Sequence, residues 1–282
     1  MNNALCIKRL KKKFKEFELK SVSFQIPEGS IMGLVGPNGS GKTTIIKSIL
    51  SLVNYDEGEI HLFDKLCPKG ELPDNVGIVA DFSVYSGMWR IRDVEKMCAI
   101  SLREWNKEKF FELLEKFKIS PKKKVSQLSR GMNVKLMIAV AFARQAKFLI
   151  LDEPTSGLDP VARYEVCELM NEYVKNENSS ILFSTHQITD LDYGTNLITL
   201  VNNGNLLFSG LKDELTDLFS IIEGDSKDVD ETNKSIYGCR TKGNTFIGMI
   251  KTKKANDFTF DTIRPATIED IVIYSYGGID NE

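Results

Sequence analysis

The sequence predicts an α/β fold with a mostly parallel central sheet. Two observations support this prediction. Short apolar segments of β type alternate with segments of helical periodicity, which is the pattern of strands connected by crossover helices. Residues 36–43 also match the phosphate-binding loop G-x-x-x-x-G-K-[ST], and they lie between an apolar strand and an amphipathic helix, as that loop requires. We therefore expect the sheet to be built around this loop.

The composition is that of a globular protein without a nucleic-acid surface. The 282 residues include 37 Lys and Arg against 39 Asp and Glu, which gives a net charge of −2. No apolar run reaches the roughly 18 residues of a membrane-spanning helix, and the first residues lack the apolar core of a signal peptide. The five cysteines are scattered and there are only two histidines, which disfavours a structural zinc site. We expect a cytoplasmic protein with reduced thiols.

The N-terminal half begins with strands. Residues 5–26 alternate like β-strands, and we interpret the basic run 8–15 within them as a solvated strand edge rather than a membrane or nucleic-acid patch. The strand before the phosphate-binding loop is predicted at 30–35 and the helix after it at 43–52. Further strands are predicted at 58–63 and 76–79.

A helical segment separates these strands from the next group. Helices are predicted at 91–117 and after Gly131, followed by a strand at 148–151, a helix from Pro160 to about residue 174, and a strand at 181–183. The turn 202–205 predicts a hairpin between strands 197–201 and 206–208. Beyond it we expect a polar linker at 224–235, strands at 245–250 and 258–260, and a short helix capped by residues 267–270.

These predictions divide the chain into two parts. Residues 1–212 form the main domain, with a helical insert at about 82–145, and residues 213–282 form a C-terminal accessory region. The sequence does not show what the accessory region does.

The phosphate-binding loop has a defined chemistry. Its glycines lack Cβ atoms, so successive backbone N–H groups can point at one anion beside the positive end of a helix dipole. Lys42 is expected to reach the β- and γ-phosphates, and Thr43 is expected to bind Mg²⁺. The predicted nucleotide-binding residues are Gly36, Pro37, Asn38, Gly39, Ser40, Gly41, Lys42, Thr43 and Thr44.

Two carboxylates follow the apolar strand at 148–151. We expect this strand to lie next to the strand of the phosphate-binding loop, so that Asp152 holds Mg²⁺ through its water shell. Glu153 is then placed to polarise the water that attacks the γ-phosphate. An isolated Asp-Glu pair would more simply be a charged turn, but here it accompanies a phosphate-binding loop.

Further motifs, in their order, resemble those of ABC ATPases. Residues 128–132 (LSRGM) resemble the LSGGQ signature, residues 153–160 (EPTSGLDP) resemble the Walker B extension and D-loop, and residues 184–186 (STH) resemble the segment of the switch histidine. The resemblance covers roughly residues 5–210. It implies a P-loop NTPase fold with a mostly parallel central sheet, an N-terminal antiparallel β subdomain, a helical insert and a small C-terminal appendage.

The same resemblance implies a composite site. Two such domains pair head to tail, and each ATP lies between the phosphate-binding loop of one and the signature of the other, where Ser129 and the Gly131 N–H contact the γ-phosphate. His186 is the implied switch histidine. Phe14 occupies the position of the aromatic residue that stacks on adenine, with Phe17 as its rival.

Three positions depart from the family pattern. Asp81 is the candidate at the place where the family usually has the glutamine that senses Mg²⁺, and a carboxylate there adds a charge. Arg130 and Met132 replace the third and fifth residues of the signature. Arg130 either adds a cation near the phosphates or faces solvent.

The predicted function is the ATP-binding and ATP-hydrolysing subunit of an ABC transporter. It would dimerise around MgATP, as a homodimer or with a second ATPase, and would reach the inner face of the membrane only through a separate permease. The short insert, the lack of a fused membrane segment and residues 264–271 resemble export-type (ABC-2) ATPases, which commonly handle drugs, antimicrobial peptides or envelope components. The alternative is a soluble single-domain ABC ATPase in an assembly process; a P-loop kinase or GTPase is more distant, because no N-K-x-D sequence is evident.

Overall fold

The computed structural model describes residues 2–73, 75–80, 85–102, 104–226, 235–255, 257, 260–276 and 280–281. The chain forms two compact units, Met1–Ser209 and Gly210–Glu282. The first unit contains a four-stranded and a six-stranded sheet, and the second contains a five-stranded sheet. In the described ranges, no helix combines the length and the apolar character that crossing a bilayer requires.

The elements of the first unit follow the predicted alternation. Its strands are β1 (Asn3–Lys13), β2 (Glu18–Pro27), β3 (Ile31–Val35), β4 (Glu57–Leu62), β5 (Lys65–Leu66), β6 (Val76–Val79), β7 (Phe148–Asp152), β8 (Ser180–Thr185), β9 (Leu197–Asn202) and β10 (Asn205–Leu211). Its helices are α1 (Lys42–Ile49), α2 (Ile91–Ser101), α3 (Lys107–Lys116), α4 (Arg130–Ala143) and α5 (Pro160–Glu177), with 3-10 helices at Val125–Gln127 and Ile188–Asp192.

The six-stranded sheet carries the strands that bear the motifs. Its order is β10-β9-β3-β8-β7-β6, and the strand pairs from β9 to β6 are parallel. Every residue of β3 and β8 is buried, as expected of parallel strands covered on both faces. The predicted neighbour of β3 was wrong, because β8 lies between β3 and β7. The carboxyl ends of all three strands still meet at one edge, since the strands are parallel.

The four-stranded sheet has the order β2-β1-β4-β5 and is antiparallel throughout. The basic run 8–15 therefore begins on an internal strand, and its interpretation as a strand edge was wrong. Its lysines are balanced by acids near β4: Lys11 Nζ lies 2.8 Å from Glu57 Oε2, and Lys12 Nζ lies 3.0 Å from Asp56 Oδ1. These ion pairs let an internal strand carry a high positive charge.

Helix α1 is shorter than its apolar pattern predicts. It ends at Ile49, and Ser51 takes a left-handed conformation with φ 56° that turns the chain away. Leu52 is consequently 70% exposed. The apolar spacing continued into residues that no longer belong to the helix.

The second unit is a mixed α/β domain with its own core. Its strands are β11 (Phe219–Asp225), β12 (Ile236–Lys242), β13 (Thr245–Lys251), β14 (Thr262–Pro265) and β15 (Asp280–Asn281), in the order β14-β11-β13-β12-β15. Its helices are α6 (Lys212–Asp217), α7 (Thr252–Ala255) and α8 (Ile268–Tyr276). One core cluster contains Ile222, Cys239, Phe246, Ile250 and Ala255.

Two predictions for this unit can be compared with the structure. The linker was predicted too early, because Gly224 and Asp225 pair with Phe246 and Thr245 in the β11–β13 ladder. An antiparallel partner supplies backbone hydrogen bonds whatever the side chains, so a polar strand end resembles a linker in sequence. The capped last helix is confirmed: the Asp270 N–H donates to Thr267 Oγ1 at 3.1 Å. Residues 258–259 of a predicted strand lie outside the described residues.

Candidate active site

The phosphate-binding loop connects β3 to α1 and depends on its glycines at two positions. A Cβ on Gly36 would lie 2.3 Å from the Val201 carbonyl oxygen, so no larger residue fits there. Gly41 is the N-cap of α1 with φ 115°, and α1 has no side-chain cap. The N–H groups of the first turn of a helix have no partners within the helix. The loop therefore presents the positive end of α1 to its surroundings.

A cavity of about 280 Å³ lies against this helix end. Its lining is formed by Phe17, Asn38, Gly39, Ser40, Gly41, Lys42, Thr43, Thr44 and Glu153. Ser40 Oγ is buried and has no hydrogen-bond partner among the described residues. The helix end, the lysine and the close backbone approach at Gly36 together suit an anionic group of phosphate chemistry.

Lys42 is buried at the base of this cavity. Its Nζ donates to the carbonyl oxygens of Gly36 at 2.7 Å and Pro37 at 3.2 Å, and it lies 3.8 Å from Glu153 Oε1. Burial lowers the pKa of Lys42, while the charges of Glu153 and Asp152 act in the opposite direction. The two carboxylates therefore favour a charged ammonium in a place that would otherwise disfavour it.

Glu153 lies between the lysine and the predicted switch histidine. Its Oε1 faces Lys42 Nζ, and its Oε2 lies 3.1 Å from His186 Nδ1. Glu153 also has φ 49°, a left-handed conformation that costs a residue with a side chain roughly 1–2 kcal/mol. The chain thus holds this carboxylate in place at some cost, which is common at functional sites.

Ser184, at the carboxyl end of β8, connects the two predicted carboxylates. Its hydroxyl donates to Asp152 Oδ1 at 2.6 Å and accepts the Glu153 N–H at 2.9 Å. This role follows from the position of β8 between β3 and β7. The sequence showed Ser184 two residues before the switch histidine but gave no reason to assign it this contact, because β7 rather than β8 was expected next to β3.

The signature residues lie at the start of α4 and do not line the cavity. Ser129 is the N-cap, and its Oγ accepts the Met132 N–H at 3.3 Å. The guanidinium of Arg130 donates to Ser156 Oγ at 3.4 Å and lies against Gly157. Of the two possibilities for Arg130, the structure favours a side chain that faces solvent. It contacts the turn after Glu153 and does not line the cavity. Ser129 and Arg130 are exposed, and Gly131 is half-buried.

The aromatic candidates differ in their relation to the cavity. Phe17 lines it and packs against Gly41, whereas Phe14 is 41% exposed and lies under Lys12, whose Nζ is 5.5 Å from the ring centroid. The two rings are 6.3 Å apart. The structure therefore favours the rival, Phe17. The remaining candidate, Asp81, lies outside the described residues.

The chain is similar in sequence to known proteins. The sequence model of the ABC transporter family matches residues 19–156. The phosphonates import ATP-binding protein PhnC of Treponema denticola is 32% identical over 71% of this chain and 85% of its own length. The chain belongs to the ABC transporter ATP-binding family. The lantibiotic transport ATP-binding protein SrtF of Streptococcus pyogenes is 31% identical over 72% of this chain and 89% of its own length.

The fold of this ABC ATPase agrees with a solved structure. That structure, described as the ATP-binding subunit of an ABC transporter, superposes with a TM-score of 0.67 at 25% identity and covers 75% of this chain and 91% of its own. The predicted P-loop NTPase fold is confirmed. So is the predicted enzyme class, because the family binds and hydrolyses ATP.

Proposed function

We propose that this ABC ATPase hydrolyses MgATP at the interface of a dimer and thereby drives export by a separate membrane permease. One observation carries the proposal. Lys42 and Glu153 line the cavity with 3.8 Å between Nζ and Oε1, and His186 Nδ1 lies 3.1 Å from Glu153 Oε2, while Ser129 and Gly131 lie outside the cavity lining and in another segment. In this proposal one chain supplies Lys42, Glu153 and His186 to each site, and a second chain supplies the signature residues.

In this proposal Lys42, Glu153 and His186 have different tasks. Lys42 binds the β- and γ-phosphates and stabilises the negative charge on the transferred group. Glu153 accepts a proton from the attacking water, which its position at the cavity allows. His186, 3.1 Å from Glu153 Oε2, orients that carboxylate and contacts the γ-phosphate.

The metal in this proposal is Mg²⁺. The described residues contain no group of three or more His, Cys, Asp or Glu side chains suited to hold a metal. Mg²⁺ can bind where the protein supplies fewer than three such side chains, because it binds few protein ligands and takes the rest from phosphate oxygens and water. Thr43 and Asp152 would hold it, and its charge would neutralise that of the phosphates.

The position of the signature supports the proposed dimer. Ser129 and the start of α4 are exposed, and a helix N-terminus is suited to bind an anion presented by another molecule. A monomer then has half of each site. We expect hydrolysis to be weak in a monomer and efficient in a dimer, formed with a second copy or with a different ATPase.

Export through a separate permease is the more specific part of the proposal. The lantibiotic transport relative and the resemblance of the short insert and of residues 264–271 to export-type ATPases support export, with a drug or antimicrobial peptide as cargo. The phosphonates import relative has a similar identity, so the direction of transport has to be measured. The protein would act at the cytoplasmic face of the membrane through its permease.

The dimer is tested by light scattering after size exclusion. Glu153→Gln with MgATP should elute as a dimer, because the nucleotide binds and is not consumed, whereas the same variant without nucleotide should elute as a monomer. The variant Lys42→Ala is the control and should stay monomeric with ATP. A Glu153→Gln protein that is monomeric at saturating MgATP would overturn the dimer.

The permease is tested by purification from detergent-solubilised cells of the source organism. A tagged chain should retain a polytopic membrane protein in proportion to its own amount. Recovery with soluble partners alone would contradict the transport function and favour an assembly ATPase. Vesicles containing the recovered complex then give the direction, according to whether cargo moves away from or toward the ATP-containing side.

A further inference from the structure

A fully buried carboxylate lies behind the candidate active site and makes no contact with the cavity. Asp190, in the 3-10 helix Ile188–Asp192, is 0% exposed. Its Oδ2 accepts hydrogen bonds from Thr155 Oγ1 at 2.7 Å and Thr185 Oγ1 at 2.6 Å. Its Oδ1 lies 3.6 Å from Nε of Arg163 on α5. A buried carboxylate needs hydrogen-bond donors, and the two threonine hydroxyls supply them at Oδ2.

The two threonines belong to the segments that carry the reacting groups. Thr155 is two residues after Glu153, and Thr185 immediately precedes His186. Both threonines are buried, with exposures of 1% and 2%. One carboxylate oxygen therefore connects the turn after β7 to the last residue of β8, next to the residues Glu153 and His186 whose side chains form a pair.

This connection stabilises the backbone around Glu153. The left-handed backbone of Glu153 is unfavourable by itself and persists only where the surroundings hold it. Ser184 holds the Glu153 N–H from one side, and the Thr155–Asp190–Thr185 bridge holds the following turn. A displacement of a catalytic group by about 1 Å can reduce a rate by about a hundredfold.

We infer that Asp190 is a positioning residue for ATP hydrolysis, which keeps Glu153 and His186 in contact by bridging the threonines beside them. The inference rests on the proposed roles of Glu153 and His186. Asp190 is fully buried and is not among the residues that line the cavity, so its loss should reduce the turnover number and leave ATP binding intact.

The first test substitutes the carboxylate in the full-length chain. Asp190→Asn should reduce kcat between about tenfold and a hundredfold, with the KM and Kd for ATP within about twofold of wild type. Asp213→Asn, the same chemical change at an exposed aspartate of α6, is the matched control and should leave kcat unchanged. An unchanged kcat in Asp190→Asn would overturn the inference.

The second test separates positioning from folding, because Asp190→Asn removes a buried charge and can lower stability. Thr155→Val and Thr185→Val remove one hydroxyl each, while Thr155→Ser and Thr185→Ser retain it. The valine variants should lose kcat and the serine variants should recover most of it, at temperatures where thermal unfolding shows all four folded. Equal kcat in the valine and serine variants would show that the hydroxyls act on stability alone.

A third measurement tests that the three residues act together. If one bridge transmits the effect, Thr155→Val should reduce kcat in the wild-type background and much less in Asp190→Asn. Additive losses would contradict a shared bridge. The outcomes also distinguish this inference from the proposed function: a Glu153→Gln variant with wild-type turnover overturns the function, whereas an inactive Glu153→Gln beside a fully active Asp190→Asn overturns the inference alone.

Discussion

The protein has two histidines, and each lies beside a glutamate, but in regions of different architecture. His61 and Glu59 are two residues apart on β4 of the antiparallel sheet, with 2.9 Å between His61 Nε2 and Glu59 Oε2. His186 and Glu153 come from the ends of β8 and β7, and Glu153 also faces Lys42. The first pair follows from strand geometry, because residues two apart share a face of a strand.

The second pair exists because parallel strands bring their carboxyl ends to one edge of a sheet. There the chain places a buried lysine, a glutamate in a left-handed conformation and a cavity next to a helix end. The Glu59–His61 pair lies on a solvated face, and Glu59 is 54% exposed. Two contacts of similar length thus have different surroundings, and burial and neighbouring charges decide what such a pair can do.

The largest expected effect tests this difference directly. Glu153→Gln should reduce ATP turnover by about a hundredfold to ten-thousandfold, because glutamine cannot accept the proton from water. Phosphate release measured under saturating ATP gives the number. Glu59→Gln makes the same change in the other pair and should retain wild-type turnover. Wild-type turnover in Glu153→Gln would show that the base assignment is wrong.

Lys42→Ala should weaken ATP binding by about tenfold or more, since a charge-assisted contact with phosphate is lost. Calorimetric titration measures the Kd. Lys11→Ala is the control: it breaks the pair of Lys11 with Glu57 on the antiparallel sheet and should leave the Kd unchanged. If both variants bind ATP equally well, the assigned role of Lys42 is incorrect.

Ser184→Ala should reduce turnover by about tenfold, because Asp152 and the Glu153 N–H both lose their common partner. The free energy of unfolding should fall by about 1–3 kcal/mol, the usual cost of an unsatisfied buried polar group. Turnover and urea unfolding measured on the same preparation separate the two effects. A variant that loses stability alone would reduce Ser184 to a structural residue.

The two phenylalanines provide a smaller test within one loop. Phe17→Ala should weaken ATP binding by about three- to tenfold, since Phe17 lines the cavity. Phe14→Ala should change the Kd by less than about twofold. The opposite order of effects would favour the aromatic position that the family resemblance implies, Phe14, over the position that the structure favours.

The smallest effect on ATP turnover is expected in the second unit, where an ion pair has a structural role. The hydrogen bond from Arg264, supported by the Thr267 N–H, lowers the pKa of Asp270 to about 2. A folded-state pKa below the unfolded value stabilises the fold above pH 4, and this stabilisation is lost as the pH falls from about 4 toward 2.

Asp270→Asn should therefore cost about 2 kcal/mol near pH 7, and the difference from wild type should shrink below pH 4. Hydrogen exchange of the α8 amides measures this locally, and ATP turnover should not change. A difference that persists at pH 2 would mean that charge is not the cause.

The predictions from sequence were accurate where one local signal was sufficient. The helix at Arg130–Ala143, the strand at Val76–Val79 and the cap at Thr267 each follow from periodicity or from a few adjacent residues. Two errors came from longer-range effects, because the polar end of β11 and the strand between β3 and β7 depend on partners distant in sequence. The third was local: the left-handed conformation of Ser51 follows the end of α1, and the apolar spacing does not show it.

The sequence by itself determined the phosphate-binding loop, the Asp152–Glu153 pair and the order of motifs, because each is a contiguous pattern with a chemical meaning. Only the tertiary structure decided how these pieces meet. It inserted β8 between β3 and β7, which brought Ser184 onto Asp152 and Asp190 onto Thr155, and it placed Phe17 at the cavity. Strand order is set by packing over the whole sheet, and no local run of residues specifies it.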